Sequence, residues 1–205
     1  MTVADSRRPP FDVVAIGSSA GGIEALHTVT GTLLPDLPAA VLIVQHLHPH
    51  HASVLAYLLG RHCPLEVRQA VHDDEIVGGI VYVAPPDMHL LVAGGRVELS
   101  RSKLVHYSRP SIDLLFESVA GSYGARAIGV VLTGSGVDGA TGLRAIKGTG
   151  GTTVVQDPST AAHRSMPQAA IATGCVDHVL ALDEIGPALS RLAGPAPTTT
   201  VKAHR

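Results

Sequence analysis

The sequence predicts a single α/β domain: a doubly wound, mostly parallel sheet with an inserted antiparallel hairpin. Three observations carry that expectation. Several short runs are apolar throughout rather than alternating, as parallel strands covered on both faces must be. Helix-like amphipathic stretches separate them. The chain of 205 residues holds 22 Gly and 14 Pro, and its 45% hydrophobic content is mainly aliphatic, with only 3% aromatic residues. That is the profile of many short connections around a packed aliphatic core.

In chain order, the runs that read as strands are Val13–Ile16, Ala39–Val44, Ile80–Ala84, Ala127–Leu132, Thr152–Val155 and Cys175–Leu180. The helical stretches are Gly22–Leu33, Ala52–Arg61, Ser111–Ser122, Asp138–Thr149, Met166–Ala172 and Asp183–Leu192. Ser111 supplies an N-cap hydroxyl and Asp113 an early carboxylate for the third of these. Pro167 suits the start of the fifth. Met88–Val92 and Arg96–Ser100 flank Gly94-Gly95, a two-residue signature of a hairpin. Residues 1–11 and 193–205 read as flexible tails around a catalytic unit at 12–192.

Composition removes several functions. A net charge of −2 argues against nucleic-acid binding and against a polybasic membrane contact. No apolar run approaches the ~20 residues of a membrane span, and Met1–Pro10 has no hydrophobic segment of the kind that directs export. Two cysteines, Cys63 and Cys175, make no disulfide framework and read as partly apolar core residues in a reducing cytoplasm.

The chemistry gathers around Gly17-Ser18-Ser19-Ala20-Gly21-Gly22, a glycine-rich turn between a strand and a helix. It fits G-x-S-x-G, the turn that lifts a nucleophilic serine above a sheet. It also fits a dinucleotide fingerprint in which Ser19 replaces the middle glycine. In open α/β sheets, functional groups collect beyond the carboxyl ends of the strands. Ser19, His46 and Asp138 all fall at such ends. A serine hydroxyl needs a histidine to take its proton and a carboxylate to fix that histidine's tautomer. Backbone N–H groups of Ala20, in the first turn of a helix, and of Ser135, in the Thr133–Gly136 loop, would then form an oxyanion hole. Each residue also has a plainer reading: Ser19 or Asp138 as a helix cap, His46 as a structural histidine.

Taken together, Ile16–Gly22, Gln45-His46, Tyr82–His89, Arg109–Asp113 and Leu132–Gly139 resemble the catalytic domain of the CheB-type chemotaxis protein-glutamate methylesterases. The resemblance runs from about Asp12 to about Leu192. It implies hydrolysis of glutamate γ-methyl esters on bacterial chemoreceptors with release of methanol, often with glutamine deamidation, and no metal or organic cofactor. Ser19 becomes the nucleophile, His46 the base and Asp138 its carboxylate, while Arg109 is a candidate substrate contact or a loop anchor. The sequence departs from that family at Ala20, where threonine is usual, and in the Gly-Met-Gly-Asn-Asp loop, where Ser135 and Val137 stand for methionine and asparagine. The usual N-terminal receiver domain has no counterpart in the roughly ten residues before the first strand. Regulation is therefore expected from a separate response-regulator or receiver partner, from expression level, or not at all.

Three other classes compete. A nucleotide-binding oxidoreductase would want glycine at position 19 and an acidic residue closing the second strand, where Gln45-His46 stands. A metallohydrolase would use His46, His48, His50 and His51 as ligands, with His72, His89 or His106 further on; metal analysis separates it from a serine enzyme. A non-catalytic chemoreceptor-binding module would lack the triad residue types that this chain retains.

Overall fold

The computed structural model describes residues 12–47 and 53–194. Seven strands form one parallel sheet: β1 (Val13–Ser18), β2 (Ala40–Gln45), β3 (Glu66–Gln69), β4 (Ile80–Val83), β7 (Ala127–Val131), β8 (Thr152–Gln156) and β9 (His178–Leu180). Their order across the sheet is β3-β4-β2-β1-β7-β8-β9. The remaining pair, β5 (His89–Ala93) and β6 (Arg96–Ser100), makes the antiparallel hairpin closed by Gly94-Gly95. Both glycines lie at positive φ, 57° and 76°, as a two-residue primed turn requires.

Alternate residues of each central strand serve opposite faces. Val14 and Ile16 of β1, with Val41 and Ile43 of β2, pack beneath three helices: α1 (Gly22–Gly31), α2 (Leu55–Gly60) and α6 (Leu182–Ala193). Val13, Ala15, Ala40, Leu42 and Val44 face α3 (Ile112–Tyr123), α4 (Ala140–Gly148) and α5 (Ser165–Ala172). The hairpin lies on the same side, with Leu90, Val92 and Val97 joining that core. Ser118 and Ser122 of α3 fasten it by hydrogen bonds to the main chain of Val92, at 3.1 and 3.2 Å.

Two elements differ from the sequence expectation. β3 was not foreseen, because Glu66-Val67-Arg68-Gln69 is a polar, half-exposed edge strand with no apolar run to betray it. It is held to β4 partly by Arg68, whose Nη2 donates to the Tyr82 hydroxyl at 3.0 Å. The strand expected over Cys175–Leu180 is confined to His178–Leu180. Its first half is used in a turn: Thr153 Oγ1 donates to the carbonyl of Cys175 at 2.7 Å and Asp177 N–H donates back to Thr153 Oγ1 at 2.9 Å. Among the described residues no helix is long and apolar enough to cross a membrane.

This topology selects the location of the site. From β1 the chain passes to β2 on one side, and β7 lies on the other. The crevice beyond the carboxyl ends of these three strands is the switch point of the sheet, where α/β proteins place their ligands.

Candidate active site

β1 and β2 run in register to their last pair, Ser18 opposite Gln45. One step beyond it stand Ser19 and His46, and His46 N–H donates to the carbonyl of Ser18 at 3.1 Å. The strand adjacency that no sequence displays is therefore present. Of the two serines, Ser18 is fully buried and gives its hydroxyl to Gln45 Oε1 at 2.7 Å. Ser19 is half-buried, and its hydroxyl makes no hydrogen bond among the described residues. Neither Ser19 nor Asp138 caps the helix that follows it. The N-cap of α1 is Gly21, at φ 73°, and that of α4 is Gly139.

Asp138 reaches His46 from the other side of β1. Its Oδ2 lies 2.9 Å from His46 Nε2, and the carboxylate is buried. Three main-chain N–H groups converge on it, from Ile112, Asp113 and Gly139, at 2.9, 2.9 and 3.0 Å. Ser111 Oγ adds a fourth bond at 3.1 Å. Ile112 and Asp113 begin α3, so Asp138 occupies the positive end of a helix to which it does not belong. Burial alone would raise its pKa. The His46 hydrogen bond, the N–H groups of Ile112 and Asp113 and the charge of His46 outweigh that and hold it below the ordinary aspartate value. With an ionised carboxylate on Nε2, that nitrogen carries the proton and Nδ1 is the basic one.

The Thr133–Gly136 loop is seated directly against the nucleophile candidate. Ser19 N–H donates to Thr133 O at 3.0 Å, and Thr133 Oγ1 donates to Ala20 O at 3.0 Å. The start of α5 and the residues just before it clamp the loop from outside: Gly134 N–H donates to His163 O at 3.0 Å, Met166 N–H to Gly134 O at 3.1 Å and Gly136 N–H to Ser165 Oγ at 3.1 Å. The N–H groups of Ser19, Gly22, Gly134 and Gly136 are thus all engaged. Those of Ala20 and Ser135 have no partner among the described residues. Ala20 sits one residue ahead of the N-cap of α1, not in its first turn as the sequence suggested.

Beside His46 opens a cavity of about 340 Å³ lined by Leu47, Asp87, Leu104, Tyr107, Ser108 and Arg109 as well. Arg109 is heavily committed within that wall. Its Nε and Nη2 donate to Asp87 Oδ1 at 2.9 and 2.5 Å, and its Nη1 donates to the carbonyls of Arg101 and Ser102 at 3.1 and 2.8 Å. The guanidinium fastens the loop that closes the cavity, and the Arg109–Pro110 peptide following it is cis.

The other histidines have separate employment. His89 is buried, accepts Ser111 N–H at Nδ1 (3.1 Å) and lies with Nε2 3.1 Å from Lys103 O; burial pushes its pKa down. His72 Nδ1 accepts Leu99 N–H at 3.1 Å, and His106 Nε2 lies 3.2 Å from Asp113 Oδ2. His48, His50 and His51 fall outside the described residues. Among the described residues no group of three His, Cys, Asp or Glu side chains is arranged to hold a metal ion. Cys63 and Cys175 are half-buried, and burial raises the Cys63 thiol despite a hydrogen bond from the Leu65 main chain.

Residues 14–189 match the family model of the CheB methylesterase domain. The chain belongs to the CheB methylesterase family. A protein-glutamate methylesterase/protein-glutamine glutaminase of Anaeromyxobacter dehalogenans is 44% identical over 189 residues, covering 92% of this chain and 55% of that protein. A Leptospira interrogans protein is 42% identical over 183 residues, with 89% of this chain and 95% of that protein covered. The chain thus spans about half the length of the first relative and nearly all of the second. The crystal structure of the Thermotoga maritima CheB methylesterase catalytic domain has the same fold, at a TM-score of 0.85 and 34% identity over 89% of this chain and 98% of that one.

Sequence reasoning had no signal for the supports of this CheB-type site. Thr133, His163 and Ser165 act through a long-range loop contact, and the grip of α3 on Asp138 joins segments more than twenty residues apart.

Proposed function

We propose that this CheB-family protein hydrolyses the γ-methyl ester of glutamate on bacterial chemoreceptors, releasing methanol, and that it also deamidates receptor glutamine. Ser19 is the nucleophile, His46 the general base and acid, and Asp138 the carboxylate that orients His46. The observation carrying this reading is the 2.9 Å bond between Asp138 and His46 Nε2, with Ser19 one step past the Ser18–Gln45 register pair. Membership of a family whose Anaeromyxobacter relative bears both activities in its name supports the substrate.

In this reading the Ser19 hydroxyl adds to the ester carbonyl carbon as His46 Nδ1 takes its proton. The resulting oxyanion is held by the N–H groups of Ala20 and Ser135. Collapse breaks the bond to the methoxy group, which leaves as methanol with the proton carried by His46. Water then attacks the Ser19 acyl ester by the same proton route, restoring the hydroxyl and freeing the glutamate carboxylate. The amide of glutamine follows the same course, with ammonia leaving. Residues 12–192 form the catalytic unit, working in the cytoplasm, and Arg109 shapes the substrate cavity by bracing its wall.

The test is incubation with a chemoreceptor carrying radiolabelled methyl esters. Wild type releases labelled methanol; Ser19→Ala releases none while keeping its thermal unfolding midpoint. Equal release by both proteins defeats the assignment.

A further inference from the structure

Gln45 is the last residue of β2 and is 5% exposed. Its carboxamide is used at both ends. Oε1 accepts the Ser18 hydroxyl at 2.7 Å, and Nε2 donates to the carbonyls of Ser19 and His46 at 2.8 and 2.9 Å. One side chain therefore ties the main chain of the nucleophile to that of the base. It does so where the sheet no longer can, since the β1–β2 register ends at Ser18 and Gln45. Beyond that pair the two chains part, one into α1 and the other into the loop after His46.

The surroundings are cut to admit this amide. Gly22 opens α1, and a Cβ there would stand 2.0 Å from Gln45 Oε1 and 2.9 Å from Ser18 Oγ. Gly22 supplies the room, Ser18 the donor that orients the amide, and Gln45 the two N–H bonds. A glutamate in this place would set an anionic oxygen against two carbonyls, and a methionine would strand those carbonyls and the Ser18 hydroxyl in a buried site.

We propose that Gln45 is a positioning residue for the ester hydrolysis, fixing the separation of Ser19 and His46 so that Nδ1 stays within reach of the Oγ proton as Oγ attacks the ester carbonyl. The inference rests on the triad reading above. It goes beyond it in placing part of the rate in a residue that touches neither substrate nor the reacting atoms. Because near-attack geometry is steep in distance, a shift of about 1 Å between the two loops would cost about 100-fold in rate.

The experiment compares wild type, Gln45→Met, Gln45→Glu and Ser18→Ala, each verified as folded by circular dichroism. Two readouts are taken: steady-state release of labelled methanol from methylated receptor, and the rate at which a fluorophosphonate modifies Ser19. Gln45→Met is expected to lose about 100-fold in kcat with KM little changed, and to slow fluorophosphonate labelling in parallel. Ser18→Ala loses less, because the amide keeps its two carbonyl contacts. Gln45→Glu supplies the readout that a merely structural role would not move. As pH falls, its carboxyl gains a proton and recovers one donor, so its labelling rate relative to wild type at the same pH rises.

A folded Gln45→Met with wild-type kcat and labelling rate overturns the proposal. So does a Gln45→Glu ratio that stays low and flat with pH, for then the lost donor was not the cause. If Gln45→Met does not fold, the Gln45→Glu ratio decides. Should wild type label at Ser19 yet release no methanol, the receptor reading fails and the labelling arm still judges Gln45.

Discussion

Asp138 Oδ2 meets His46 Nε2 at 2.9 Å while the same carboxylate receives the Ile112 N–H at 2.9 Å. The carboxylate bonded to His46 is thus itself fixed by the first turn of α3. Replacing it with asparagine retains the shape but turns an NH2 group either on His46 Nε2 and the Ile112 N–H together or on the Asp113 and Gly139 N–H groups, and removes the charge that keeps the proton on Nε2. Asp138→Asn is expected to lower kcat by up to ~10⁴-fold, as such a change does where the wrong tautomer results. Steady-state methanol release measures it, with thermal unfolding as the control for folding. A near-wild-type rate removes Asp138 from the mechanism.

Gly134 tests the oxyanion loop. A Cβ at this position would lie 2.1 Å from Met166 Sδ and 2.8 Å from Ser19 Cβ. Met166 is fully buried and cannot withdraw freely. Gly134→Ala therefore pushes the loop, and with it the Ser135 N–H, away from Ser19. Loss of one oxyanion donor costs about 10²–10³ in kcat, and that is the expected fall. If kcat is maintained in a variant whose loop has moved, the Ser135 N–H does not stabilise the intermediate.

How much of this was legible beforehand depends on range. Val13–Ile16 and Ala127–Leu132 disclosed themselves because strands buried on both faces must be apolar at every residue. Ser19 and His46 stood out as candidates because each directly follows such a strand, and Asp138 because it closes the short loop after one. The order of those strands was not legible: β7 lies beside β1 through pairing across more than a hundred residues of chain. β3 was hidden for the opposite reason, since an edge strand such as Glu66–Gln69 needs polar residues. Gln45 was visible only as the neighbour of His46. Its role depends on where a buried amide points, which no pattern of residue types encodes.

Asp177 yields a prediction in pH. Its Oδ2 accepts the Thr153 N–H at 2.9 Å and shares, at 3.0 Å, the hydroxyl proton that Thr153 also directs to Cys175 O, and its Oδ1 pairs with Lys147 Nζ, joining β8, α4 and the approach to β9. Burial would raise its pKa, but the hydrogen bonds from Lys147 and Thr153 and the Lys147 charge prevail and lower it. A carboxylate with a depressed folded pKa stabilises the fold above its unfolded value and ceases to do so as pH falls through the folded one. The difference in unfolding midpoint between wild type and Asp177→Asn should be largest near neutrality and shrink below the ordinary value of 3.8. Scanning calorimetry from pH 7 down to about 2.5 follows this window. A difference that grows on acidification would reverse the sign and refute the argument.

The turn at the cavity rim carries a conformational cost that a single substitution can remove. Val105 and Ser108 pair through two main-chain hydrogen bonds, at 3.1 and 2.8 Å, around His106 and Tyr107. These central residues lie at φ 48° and 61°, values that two-residue turns usually reserve for Asn and Gly. His106 is anchored by Asp113 at 3.2 Å, whereas Tyr107 is 98% exposed and loses no packing when its ring is removed. Relief of roughly 1–2 kcal/mol of left-handed strain, less about 0.5–1 kcal/mol for the added chain freedom of glycine, leaves a net gain of about 1 kcal/mol. For a domain of this size that corresponds to about 2–4 °C. Tyr107→Gly is therefore expected to raise the thermal midpoint by that amount, measured by calorimetry at neutral pH. A lower midpoint would mean that the ring is held by contacts its exposure does not suggest.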